Sequence, residues 1–166
     1  MSLFKQRKEL NLSEIADSVL EKWKKNNTFK ESLSNREGNK PFVFFEGPPS
    51  SNGLPGIHHL MGRTIKDVFC RFKTLQGFQV NRKAGWDTHG LPVELGVEKE
   101  LGITKEDIGV NISIEDYNSA CKEAVMKYTN VWDDLTSKMG YWVDTEDPYI
   151  TYENKYMESV WWLLKQ

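Results

Sequence analysis

The chain has 166 residues, of which 39% are hydrophobic, 12% aromatic and 28% charged. That length suits one domain, or a small domain with an arm, and the composition supports a packed core, which excludes global disorder. A net charge of −2 argues against a domain whose main task is to grip a phosphate backbone.

No apolar run approaches the roughly 20 residues that a bilayer-spanning helix needs. The start, Met1-Ser2-Leu3-Phe4-Lys5, lacks the apolar stretch of a secretory signal. Cys70 and Cys121 make neither a disulfide framework nor a metal-ligand spacing. A soluble cytoplasmic protein is expected, with no membrane partner and no metal site. Charge is unevenly placed. Between positions 60 and 83, Arg63, Lys66, Arg71, Lys73, Arg82 and Lys83 face one acid, Asp67, whereas positions 94–158 carry fifteen acids against six lysines. The basic stripe suits either a polyphosphate or nucleic-acid partner or a solvated helix face with a strand end.

Leu12, Ile15, Val19, Leu20 and Trp23 recur at helical spacing, with Ser13 available as N-cap, so a helix is expected over about 13–25. The polar stretch from Ser32 to Asn39 reads as loop. Pro41-Phe42-Val43-Phe44-Phe45 has the pattern of a strand covered on both faces. It runs into Glu46-Gly47-Pro48-Pro49-Ser50-Ser51-Asn52-Gly53-Leu54-Pro55-Gly56, where glycine and proline disfavour regular structure. Met61, Ile65, Val68, Phe69, Phe72 and Leu75 then form a helical stripe that Gly77 can terminate. Phe78 to Lys83 alternates like a second strand. Strand, helix and strand in succession make a parallel βαβ unit.

The second half reads as helical. Ser113-Ile114-Glu115-Asp116 resembles a capping box, and the apolar positions from Tyr117 to Met139 mark one long helix. Asp147-Pro148 falls in an extended link, and a last helix carries Tyr152, Tyr156, Val160, Trp161, Leu163 and Leu164. These aromatic stripes are expected in the core. The pattern stops at Gln166 without a C-cap signal, as in a cut through a longer protein.

Two segments could carry chemistry. A strand feeding a Gly/Pro loop that opens a helix offers free backbone N–H groups and the positive end of a helix dipole, which suits an anion. Neither a Gly-x-Gly-x-x-Gly nor a Walker lysine pattern is present, so dinucleotide and P-loop readings find no support. His58-His59 opens the helix instead. Adjacent histidines do not share a helix face, which disfavours a two-histidine metal site; capping or packing is the plain alternative. The second segment, Gly85-Trp86-Asp87-Thr88-His89-Gly90-Leu91-Pro92, follows the second strand and puts Asp87 where α/β sheets bind ligands. Asp87 there could hold an ammonium group and Trp86 wall a pocket; the plain reading makes Asp87 a helix N-cap and Trp86 core.

Taken together, Glu46-Gly47-Pro48-Pro49, Asn52-Gly53-Leu54-Pro55, Thr64-Ile65-Lys66-Asp67 and Gly85 to Glu94 resemble the class I aminoacyl-tRNA synthetases, and among them the isoleucyl family. Gly140-Tyr141-Trp142-Val143-Asp144 and Asp147-Pro148-Tyr149-Ile150-Thr151 are similar to the same family. The resemblance implies an α/β fold, the first half of a Rossmann-like parallel-sheet nucleotide-binding domain over 41–166, ending before an editing insertion, with a helical arm and loop over 1–40. It implies activation of isoleucine by ATP and Mg²⁺ as the substrate complex, followed by esterification of tRNA. By position, Asp87 should bind the substrate ammonium, Gly47 and Pro48 should border the amino-acid pocket, and Asn52, Gly56, His58 and His59 should meet ATP. His59, with His58 as a displaced partner, should stabilise the phosphate transition state.

One departure stands out. The family signature is His-x-Gly-His, and the matching positions are Gly56-Ile57-His58-His59, with the first and third exchanged. The altered motif is expected to remain catalytic while binding less well those ligands that need open space above the glycine. The editing domain, the Lys-Met-Ser-Lys-Ser loop and the anticodon-binding region of the family are absent from these residues. The piece alone is therefore expected to be inactive in aminoacylation and to bind ATP weakly. The competing readings are a non-catalytic synthetase-like interaction module and a synthetase for another branched-chain amino acid.

Overall fold

The computed structural model describes residues 9–166. Helix α1 spans Leu12–Lys25. Its N-cap is Asn11, whose side chain accepts from the Glu14 N–H at 3.3 Å, so Ser13 lies inside the first turn and does not cap it. A second helix, α2 (Thr28–Ser34), occupies part of the expected loop. Ser32 and Ser34 fit there because each hydroxyl bonds back to a carbonyl three residues earlier.

Strand β1 (Pro41–Phe45) is followed by an irregular loop, helix α3 (Ile57–Leu75) and strand β2 (Gln79–Trp86). The two strands pair in parallel from Pro41 opposite Gln79 to Phe45 opposite Lys83. Gly77, at φ +91°, supplies the left-handed turn that ends α3. Strand β2 outruns the expected segment, so Gly85 and Trp86 belong to it. Its other edge pairs in parallel with β3 (Asp144–Ile150), giving the order β1-β2-β3. The supposed extended link at Asp147-Pro148 is thus part of a strand. Proline is tolerated there because the ladder is irregular between Lys83 and Gly85, which pair with Asp144 and Tyr149. The fold is α/β with a parallel sheet.

Helices α4 (Leu91–Leu101) and α5 (Ile114–Val125) pack together, followed by α6 (Thr129–Lys138). Ser113 caps α5 by accepting from the Asp116 N–H at 3.0 Å. The one long helix expected from Tyr117 to Met139 is broken between α5 and α6. Ser51 makes the break: its hydroxyl donates to the Val125 carbonyl and its own carbonyl accepts from the Tyr128 N–H at 3.1 Å. Helix α7 (Asn154–Lys165) follows Tyr152, which lies outside it.

Helix α3 covers its polar face within these residues. The apolar stripe of Met61, Ile65, Val68, Phe69, Phe72 and Leu75 is exposed, while Arg63, Cys70 and Thr74 are buried. These three residues and the nearly covered Asp67 lie four, three and four positions apart, on one face. They are partnered rather than greasy: Arg82 reaches Asp67 at 3.0 Å and Thr74 at 3.1 Å, and Arg63 reaches Thr136 at 2.8 Å. The basic stripe is accordingly neither a solvated face nor an anion surface. Arg71 also pairs with Asp67, Lys66 with Glu46, and Lys83 with Asp147, while Lys73 lies over the Phe78 ring. Strand β1 is not covered on both faces, since Val43 and Phe45 are exposed. Trp161, Trp162, Leu163 and Leu164 of α7 are exposed too, so that aromatic stripe is not core. The apolar core includes Val80, Ala84, Trp86, Val93, Val97, Val125, Trp132, Tyr141 and Val143.

Candidate active site

The loop 46–56 leaves the carboxyl end of β1 and is fastened at several points. Glu46 N–H continues the ladder to the Lys83 carbonyl at 2.8 Å. Its side chain is only 2% exposed, a placement that a carboxylate keeps only when paired. Lys66 donates to Oε1 at 2.5 Å, the Tyr141 hydroxyl donates to Oε2, and Arg63 Nε stands 3.9 Å from Oε1. Burial and this hydrogen bond push the Tyr141 phenol well above its usual range, so it is a fixed donor.

Further along, Asp87 N–H donates to the Pro49 carbonyl at 2.9 Å, and Ser50 and Asp87 form a parallel bridge. This contact puts Asp87, at the tip of the central strand, beside Gly47-Pro48-Pro49. Asp87 is half-buried, and among the described residues none donates a hydrogen bond or ion pair to its carboxylate. It is not an N-cap, because α4 starts from Gly90. Trp86 is buried in the core, as the plain reading has it. The chain after Asp87 is clamped to the end of β3: Thr88 N–H and Thr88 Oγ1 each lie 3.0 Å from Thr151 Oγ1, which also meets His89 Nδ1 at 2.9 Å.

The far end of the loop meets the histidines. His59 Nδ1 accepts from the Gly56 N–H at 2.8 Å, so the imidazole caps α3. Burial holds the His59 pKa below the ordinary imidazole value, with His58 and Arg63 acting in the same direction. A neutral ring that accepts at Nδ1 carries its proton on Nε2, which leaves that N–H as a donor. The two histidines do not diverge as adjacent helical residues should: at this first turn their rings lie 3.8 Å apart at 42°. His58 is exposed and leans back over Gly56. Gly53 O accepts from the Trp132 indole N–H at 2.9 Å, and the indole meets the His59 ring edge-on at 4.7 Å. Asn52 Oδ1 accepts from the Ser50 hydroxyl at 3.0 Å.

One loop therefore carries Gly47, Pro48, Asn52 and Gly56, touches Asp87 through its first half, and is capped by His59 at its end. The arrangement offers an unpaired carboxylate for a cation and, at a helix N-terminus, imidazole and backbone donors for an anion. Sequence reasoning missed Glu46, Ser51, Thr88, Trp132, Tyr149 and Thr151. The only advance signal was for Glu46, a single acid between an apolar strand and a basic helix.

Residues 18–166 match the family described as tRNA synthetases class I (I, L, M and V). The chain belongs to that family. Among its relatives, the isoleucine–tRNA ligase of Cytophaga hutchinsonii is 67% identical over 159 residues, and that of Bacteroides thetaiotaomicron 64% identical over 163, covering 96% and 98% of this chain. An isoleucine–tRNA ligase 2 of Bacillus anthracis is 54% identical over 146 residues, or 88% of the chain. The chain spans 14% of the length of each of these curated relatives. The solved LeuRS of Agrobacterium radiobacter K84, in a ternary complex with tRNA and LeuAMS, shares the fold at a TM-score of 0.60 and 18% identity, over 90% of this chain and 17% of its own.

Proposed function

We propose that the chain is the amino-terminal part of an isoleucine–tRNA ligase, with 1–40 as an arm and 41–166 as the first half of its catalytic domain. The enzyme joins isoleucine to ATP, held as its Mg²⁺ complex, forms isoleucyl-adenylate and pyrophosphate, and passes the acyl group to tRNA in the cytoplasm. The observation that carries this reading is the Asp87–Pro49 hydrogen bond, which sets a carboxylate without an internal partner beside Gly47-Pro48 on the loop that His59 caps. The 64–67% identity to isoleucine–tRNA ligases supports the choice of amino acid.

In this reading Asp87 takes the substrate ammonium, and Gly47 and Pro48 border the side-chain pocket. The triphosphate lies along Asn52, Gly56 and the opening of α3. His59 donates through Nε2 to the phosphate oxygens as charge builds, and His58 adds a second imidazole from above Gly56. Catalysis is positioning plus electrostatics, each donor contributing about 3–4 kcal/mol. The 166 residues alone support neither aminoacylation nor firm ATP binding. Among the described residues no helix is long and apolar enough to cross a membrane.

The test is amino-acid-dependent ATP–pyrophosphate exchange by a full-length enzyme carrying this segment. Isoleucine should support exchange, with valine roughly 10–200-fold poorer in kcat/KM. Asp87→Asn should lower kcat/KM for isoleucine by about a hundredfold or more while the ATP KM holds. Failure of every amino acid to support exchange would favour an interaction module, and a preference for valine or leucine would overturn the substrate assignment.

A further inference from the structure

Trp132 is 1% exposed and lies on α6, far in sequence from both motifs. A buried indole needs a partner for its N–H, and this one uses the Gly53 carbonyl in the middle of the loop. The same ring meets His59 edge-on at 4.7 Å and 73°, and carries the Arg63 guanidinium 5.0 Å from its centroid. Arg63 is held in turn by Thr136, one turn along α6, whose hydroxyl bonds back to the Trp132 carbonyl at 2.7 Å. At the head of α6, Ser51 binds the break between α5 and α6. The α5–α6 break thus holds the loop at position 51, while α6 grips it at position 53 and the following helix at His59 and Arg63.

Trp132 touches both the middle of the loop and the His59 imidazole. The Gly56 N–H fixes one nitrogen of the His59 ring but leaves the ring free to tilt about that bond, and the indole removes the tilt. We propose that Trp132 is a positioning residue for adenylate formation: anchored through its N–H on the Gly53 carbonyl, it aims the Nε2–H of His59. This inference rests on the reading above, that His59 serves the phosphate transition state. Its physical basis is that a misplacement of about 1 Å at a distant support can cost on the order of 10²-fold in rate.

The experiment is steady-state ATP–pyrophosphate exchange by a full-length enzyme carrying this segment, with Trp132→Leu, Trp132→Phe, His59→Asn and the two double variants. Trp132→Leu removes both contacts and should lower kcat about 10–100-fold with the isoleucine KM within about twofold. Trp132→Phe keeps an aromatic wall without the N–H and should recover part of that loss, leaving a deficit of about threefold to tenfold. In the His59→Asn background neither substitution should lower kcat further, because the group being aimed is gone. Losses that multiply with His59→Asn, an unchanged kcat in Trp132→Phe, or a loss confined to the isoleucine KM would each overturn the proposal. Should Trp132→Leu fail to fold, Trp132→Phe with its His59→Asn cycle decides the matter alone. An unsubstituted enzyme without isoleucine-dependent exchange would instead bring down the underlying reading, so the two failures are distinct.

Discussion

The imidazole of His58 stands over the α-carbon of Gly56: a Cβ on Gly56 would lie 2.9 Å from Cε1 and 3.0 Å from Nδ1 of that ring. Positions 56 and 58 compete for one volume. The exchanged signature is therefore a coupled pair, in which the side chain at 58 fills the space that a side chain at 56 would need. In a full-length enzyme, Gly56→His alone should push the exposed His58 ring aside and lower exchange, because the new side chain and that imidazole cannot share the volume. Adding His58→Gly should restore activity and tighten the binding of adenylate-mimicking inhibitors. Equal ATP kinetics and inhibitor affinity in the unsubstituted and doubly exchanged enzymes would refute the coupling.

Glu46 offers a sharper stability test. Glu46→Ala removes the acceptor of Lys66 and Tyr141 and the carboxylate that faces the buried Arg63. Breaking a buried pair from one side costs about 3–5 kcal/mol. At roughly 2–4 °C per kcal/mol for a chain of this size, the melting temperature should fall by about 6–20 °C. Glu46→Gln keeps the shape and should lose less. Calorimetry of the three proteins measures the difference, and an unchanged melting temperature for Glu46→Ala would contradict the burial argument.

A close approach explains Gly85. A Cβ there would run into the Tyr149 ring, which stacks on Tyr156 at 5.7 Å and 8° and donates its hydroxyl to the Glu46 carbonyl. Gly85→Ala should destabilise by about 1–3 kcal/mol. In a Tyr149→Ala background the same substitution should cost almost nothing. Urea unfolding of the four proteins gives the coupling, and additive losses would mean that the ring is not the obstacle.

Alkaline pH should weaken the fold. Burial pushes the Tyr117 phenol up to about 12, and Cys121, Glu98 and Glu94 add to the shift. Burial likewise raises Tyr141, Tyr149, Cys70 and Cys121. Each group is neutral when folded, with a folded pKa above its unfolded value of about 9 for the thiols and 10 for the phenols. Its stabilising contribution is complete below the unfolded pKa and is lost as pH rises toward the folded one, at up to about 1.4 kcal/mol per pH unit per group. The urea midpoint should begin to fall near pH 9 and fall faster above 10. Tyr117→Phe should make the upper part shallower. A midpoint that stays level to pH 11 would be inconsistent with these shifts.

Much of the sheet and one face of the site were legible in the residues. Phe42 to Phe45 and the alternation before Lys83 fixed two strands by side-chain type, and Gly77 marked the helix end between them. Strand β3 was not legible, because Asp144 to Pro148 is polar, carries a proline and pairs through an irregular ladder. The break between α5 and α6 could not be read from Tyr117 to Met139, since its cause, Ser51, is more than seventy residues away. On α3 the apolar stripe is exposed within these 166 residues, and the opposite face was not legible: a buried ladder of charges has no periodic signal that distinguishes it from a wet surface. For the site, motif residues came from resemblance, whereas Glu46, Trp132 and Thr151 support them through contacts that no local pattern encodes.

The inward face of α3 has a consequence for alignment. Oil-like contacts between a helix and a sheet tolerate sliding, but a ladder of opposite charges does not. A slip of one turn in either direction would set Arg63 or Arg71 where Asp67 now stands, directly against Arg82. Repulsion there locks the helix at a single height, and His58 and His59, riding on its first turn, are held at a constant level against the sheet.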